Sequence, residues 1–176
     1  MAYARYVYDQ MREIVATTAT KSGIAVFYQF GSPMEIISNL RAMTGDPTQE
    51  ERKYPLIALF TDYDEEQGRF PGIESEVSLN FIIAMLTDSK YSSEERAAIN
   101  FKPTLYPIFD AFIDSIFLSG YYEVQNQQKM RRRKTDHFSW GKNGLYTIEG
   151  NVFEDLIDAI EIQNLQLSVI NKINQL

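Results

Sequence analysis

Glu76-Val77-Ser78-Leu79-Asn80-Phe81-Ile82-Ile83-Ala84-Met85-Leu86 is the stretch that decides the fold. Val77, Leu79, Phe81, Ile83 and Met85 point one way, and Ser78 and Asn80 the other; from Ile82 onward both sides are apolar. A period of two residues is that of a β-strand. The change from one apolar face to two predicts a strand half-buried at its start and enclosed at its end.

Toward the N-terminus, Leu56 to Thr61 is a short apolar strand introduced by Tyr54-Pro55, and Ile24 to Phe30 is rich in β-branched and aromatic residues. Between residues 62 and 72 lie four acids and two glycines, the composition of an exposed hairpin loop. Tyr3, Val7, Met11, Ile14 and Val15 recur at spacings of three and four, which predicts an amphipathic helix. Ser32-Pro33-Met34-Glu35 combines a capping serine, a proline at the first helical position and a glutamate three residues after the cap. That helix is expected to stop at Gly45-Asp46-Pro47.

Toward the C-terminus, Ser92-Ser93-Glu94-Glu95 is a second capping box. It opens a long helix over residues 93–118, with a kink or restart expected near Pro103. Leu105, Ile108, Phe109, Phe112, Ile113, Ile116 and Phe117 give it a broad apolar stripe that must lie on a sheet or another helix. Residues 120–150 are polar and basic with scattered aromatics, and read as an insertion containing a hairpin turned at Lys142-Asn143-Gly144. In the final strand, residues 153–170, Ile160 and Ile162 fall on one parity and Leu165, Leu167 and Val169 on the other. A change of phase within one strand predicts a bulge or bend near Gln163-Asn164. The expected fold is therefore a single α+β domain over residues 1–176. It holds an antiparallel sheet of about four strands with helices packed mainly on one face, and an inserted loop or arm at 120–150.

Composition narrows the chemistry. With 44% apolar and 13% aromatic residues the chain has material for a packed core, so wholesale disorder is not expected. No cysteine is present, which excludes disulfides, thiolate metal sites and cysteine nucleophiles. His137 is the sole histidine, so a histidine-based zinc cluster cannot form within one chain. The glycines make no phosphate-binding loop. Neither a basic segment followed by an apolar run at the start nor a bilayer-length apolar stretch is visible, and a soluble protein without membrane contact is expected. No catalytic residue, metal site or cofactor is assigned.

Two charged segments are candidates for contact. Lys129, Arg131, Arg132, Arg133 and Lys134 concentrate positive charge in a chain of net charge −7. Three readings stand: sequence-independent contact with DNA phosphates, docking on an acidic surface of a neighbouring subunit, or a solvated loop. Asp62, Asp64, Glu65 and Glu66 form the acidic counterpart; their spacing lacks the glycine and distant glutamate of a calcium loop. Asp110 and Asp114, at helical spacing, keep the outer face of the long helix wet.

Residues 54–116 resemble the tail-terminator and head–tail connector (neck) proteins of tailed bacteriophages. The resemblance rests on Tyr54-Pro55-Leu56-Ile57-Ala58-Leu59-Phe60, the acidic loop, the strand ending at Thr87-Asp88-Ser89, and Leu105-Tyr106-Pro107-Ile108-Phe109 in the capped helix. It implies a structural, non-enzymatic virion subunit of the neck or tail, assembled in the host cytoplasm. The subunit would form a homo-oligomeric ring, usually a hexamer with a dodecamer as the other option. It would contact portal-side, neck or tail-tube proteins, and DNA would pass through the lumen without sequence recognition. The helix at residues 32–47 and the segment 120–150 depart from the compact family pattern. The alternative from a different class is a small nucleic-acid-binding module using the 129–134 run, with Tyr121, Tyr122, Phe138 and Trp140 as stacking groups.

Overall fold

The computed structural model describes residues 6–66, 75–123, 130–140 and 154–169. In chain order the elements are α1 (Val7–Ser22), β1 (Phe27–Gly31), α2 (Pro33–Thr44), α3 (Pro47–Glu50), β2 (Leu56–Phe60), β3 (Asp64–Glu66) and β4 (Ser75–Leu86). There follow α4 (Ser93–Arg96), a π-helical segment (Ala97–Leu105), α5 (Tyr106–Leu118), β5 (Tyr122–Glu123), β6 (Arg133–Trp140) and β7 (Ile157–Val169).

The class is α+β, but the sheet is not the antiparallel one of about four strands that the sequence suggested. It has seven strands, five of them in a mixed, curled half-barrel ordered β1-β2-β4-β7-β5. β1 runs parallel to β2, and every other pairing is antiparallel. The register shows how the extra strands fit. β2 pairs with β4 over Phe81 to Ala84 and β3 with the same edge over Glu76 to Ser78, so they are two pieces of one column interrupted at Asp62, where φ is 70°. β6 and β5 likewise share the outer edge of β7. Both discrepancies come from backbone pairing that ignores side-chain preference. Asp64–Glu66 and the segment that begins with Arg133-Lys134 carry no apolar alternation, yet their backbones complete the ladders of β4 and β7. The turn at Lys142-Asn143-Gly144 lies outside the described residues, as do Tyr3 and Lys129.

The alternation in β4 holds as read. Val77, Leu79, Phe81 and Ile83 are buried on one side; Glu76 is exposed and Ser78 half-buried on the other until Ile82 and Ala84 become buried too. The first side packs under α1 through Val7, Met11, Ile14 and Val15, and under α5 through Ile108, Phe112 and Ile116. Phe81 and Phe112 meet edge to face, with ring centroids 5.1 Å apart. The second side is covered by α2, whose Ile36 and Leu40 sit on Leu56, Ala58, Ile82 and Ala84. That explains why β2 is apolar on both parities: it is sandwiched.

The predicted phase change in β7 is a bulge. The register with β4 shifts between Leu79/Leu165 and Phe81/Ile162, so Gln163 and Asn164 together oppose Asn80. Asn164 takes the left-handed conformation at φ 52°, and its N–H donates to the Asn80 side-chain oxygen at 2.9 Å. The bulge lets Ile160, Ile162, Leu165, Leu167 and Val169 all reach one core.

At Ser92 the capping box forms in both directions: Ser92 Oγ accepts from the Glu95 N–H at 3.2 Å, and the Ser92 N–H donates to Glu95 Oε2 at 2.7 Å. Around Pro103, where the sequence suggested a kink or restart, the helix leaves α geometry. It passes into nine residues of π-helix containing Pro103 and resumes α geometry at Tyr106. A wider turn accommodates a residue that has no N–H to donate.

Candidate interaction surfaces

The basic run enters β6 only at Arg133: Arg133 and Lys134 are strand, while Arg131 and Arg132 precede it. Lys134 lies opposite Ile162 on the α5 face, with Nζ 4.9 Å from the Tyr106 ring centroid and 5.4 Å from that of Phe109. It also pairs with Asp136, which accepts from the Tyr106 hydroxyl at 2.9 Å. Arg132 places its guanidinium 5.7 Å from the Phe109 ring and donates to the Met130 carbonyl. Arg131 and Arg133 are exposed and make no such ring contact, and Lys134 stays exposed despite its contacts. The run therefore does not present its cations as one stripe: half of its described charges lie along α5 as amphipathic cover.

Asp62 sits in the turn before β3 and is exposed, as are Asp64, Glu65 and Glu66. Asp64 lies opposite Ser78 and Glu66 opposite Glu76, a like-charge pair that costs stability. Arg131 comes to these acids within one molecule. It lines a groove of about 390 Å³ with Asp64, Glu66 and Glu76, although no ion pair closes among them. Glu65, opposite core-facing Val77, does not share this groove.

His137 Nε2 is 2.7 Å from Glu161 Oε2, and its ring stacks on Trp140 with centroids 4.4 Å apart. Phe138 points to the opposite side and stacks on Phe101 at 4.3 Å. Among the described residues no group of three or more His, Cys, Asp or Glu is placed to hold a metal ion, and no helix is long and apolar enough to cross a membrane.

Sequence reasoning missed two buried ion pairs. Arg96 and Asp158 lie inside, where Asp158 also accepts from Asn100 Nδ2 at 2.6 Å and from the Ser139 N–H at 3.0 Å. Lys53 is 1% exposed; its Nζ reaches Asp155 Oδ2 at 2.8 Å and Thr44 Oγ1 at 2.6 Å. The Tyr54 hydroxyl donates to the same Asp155 oxygen at 3.0 Å, and burial next to that carboxylate pushes the phenol pKa far up. A signal for one of them existed: Asp158 is a lone acid inside Leu156-Ile157-Asp158-Ala159-Ile160. Together the pairs pin the entry to β7 against the α2–β2 connection and the start of the long helix.

Among the described residues no strand pairs with the outer side of β1 or of β6. Beside β1 runs an open groove of about 490 Å³ lined by Phe27, Gln29 and Phe30 from the strand and by Asn39, Ala42, Met43, Asp46 and Gln49 from α2 to α3. Unpaired strand edges are the usual template for pairing with another chain.

A scan against protein-family models finds no match for this chain, and a search of curated proteins finds none either.

Proposed function

We propose that the chain is a non-catalytic structural subunit that assembles with copies of itself into a closed ring, in the manner of the phage tail-terminator and head–tail joining proteins it resembles. The observation that carries this is the pair of edges, on one curled sheet, that no strand covers among the described residues. A contact between two different surfaces of identical subunits is heterologous, and where its repeated rotation closes it forms a ring. The rigidity such a subunit needs is supplied by two helical layers and two buried ion pairs. In this role the exposed charges select partners and set register more than they add affinity. DNA would pass through the lumen, and portal-side or tail-tube proteins would meet the rims.

Negative-stain electron microscopy of the purified chain tests it. Class averages with rotational symmetry and a central lumen are expected; single small particles without a lumen at every concentration would refute it.

A further inference from the structure

We infer that the outer edge of β1 receives β6 of a second copy of this chain, so that the sheet runs on from one subunit to the next. This rests on the ring proposed above and names the two surfaces that close it.

The backbone of β1 is set for such an addition. The Phe27 N–H donates inward to the Pro55 carbonyl at 2.8 Å, and the Gly31 carbonyl accepts from the Thr61 N–H at 3.0 Å. In a parallel ladder alternate residues face the same neighbour, so Tyr28 and Phe30 direct their N–H and C=O groups to the open side.

Strand direction agrees. β1 is parallel to β2; β2 to β4, β4 to β7 and β7 to β6 are each antiparallel. β6 therefore runs opposite to β1 within one chain. Rotation about an axis along the strands preserves direction, so β6 of the neighbour arrives antiparallel to β1. That is the slightly more stable pairing.

The faces agree as well. On β6, Arg133 lies opposite Gln163 and Thr135 opposite Glu161, on the face that carries α2. The groove beside β1 opens on that same face, with Asp46 on its wall. Glu35 adds a second negative charge at the end of β1, because its carboxylate lies over Gly31, where any Cβ would stand 2.8 Å from Glu35 Oε2. Under the ring rotation Arg133, exposed and without an ion-pair partner among the described residues, enters a groove bordered by carboxylates.

The absence of cysteine makes the test clean. Within one chain β1 and β6 stand at opposite ends of a five-column sheet, about 19 Å apart measured along the sheet at the usual strand spacing. A short bifunctional maleimide that joins Ala42→Cys of one copy to Thr135→Cys of the next gives a multimer on a denaturing gel, whereas a link within one chain keeps the mass of a monomer. The double variant should give a ladder of cross-linked multimers, and each single variant only monomer. Arg133→Glu should weaken assembly on the order of tenfold, with recovery when Ala42→Lys is added. Rings that form while the double variant yields no ladder, or single variants that cross-link to themselves, overturn the β1–β6 contact alone. A wild-type chain that forms no multimer removes the ring itself.

Discussion

The guanidinium of Arg96 lies 3.4 Å from the carboxylate of Asp158, with side chains 4% and 0% exposed. Arg96 also donates to the carbonyls of Asp88 and Tyr91, and Asn100 holds the other Asp158 oxygen. No solvent is at hand to compensate either charge if its partner goes. Asp158→Ala should therefore cost about 3–5 kcal/mol, seen as a lower midpoint in urea unfolding. Replacing both charges with apolar residues of similar volume should recover much of that loss. An Asp158→Ala chain as stable as wild type would mean that the pair is not buried as described.

Lys134 and Arg133 are neighbours with different work. Lys134 covers Tyr106 and Phe109 and pairs with Asp136. Lys134→Ala should lower stability by about 1 kcal/mol. Arg133→Ala should leave the monomer within about 0.5 kcal/mol of wild type and act on assembly instead. Thermal melts of the two variants beside their sedimentation profiles separate the effects.

The bulge in β7 depends on one side chain in the next strand. Asn80→Ala removes the acceptor for the Asn164 N–H and should cost about 1 kcal/mol. Asn164→Gly should be nearly silent, since glycine adopts positive φ freely, whereas Asn164→Val should be the most damaging of the three. Denaturant unfolding ranks them.

Three tyrosines set the alkaline limit. Burial raises the phenol pKa of Tyr54, Tyr122 and Tyr28 well above the ordinary value near 10. A folded-state pKa raised above the unfolded one gives stability that is fully present below about pH 10 and is lost as pH climbs from there toward the folded values. The contribution of these three phenols should thus be constant through neutral pH and fall above 10, with their tyrosinate absorbance appearing together with unfolding. Free titration of Tyr54, Tyr122 or Tyr28 near pH 10 in the folded chain would contradict this.

Periodicity made the local frame legible. β4, the α1 stripe, the cap at Ser92 and the phase break at Gln163-Asn164 were all readable, because each is written in side-chain spacing along one segment. Non-local pairings were not. Nothing in Asp64–Glu66 or in Arg133–Trp140 announces a strand, since both are held by the backbone of a partner far away in sequence. The parallel pairing of β1 with β2 depends on how the intervening helices fold back. Lys53 and Asp155 lie 102 positions apart, so a charge among surface-type residues could not be told from one that ends in the interior. The charged segments were found as composition, but their geometry was hidden. Arg132, just before β6, and Lys134 within it lie against α5 rings, while Arg131 and Arg133 do not, and Arg131 shares a groove with the acidic strand of its own chain.

The most direct measurement is the native mass of the wild-type chain across a wide concentration range, by native mass spectrometry or sedimentation velocity. A ring subunit should give one dominant species at a whole multiple of 20.3 kDa, a hexamer or a dodecamer, that weakens with added salt. A single 20.3 kDa species at every concentration and salt would contradict it.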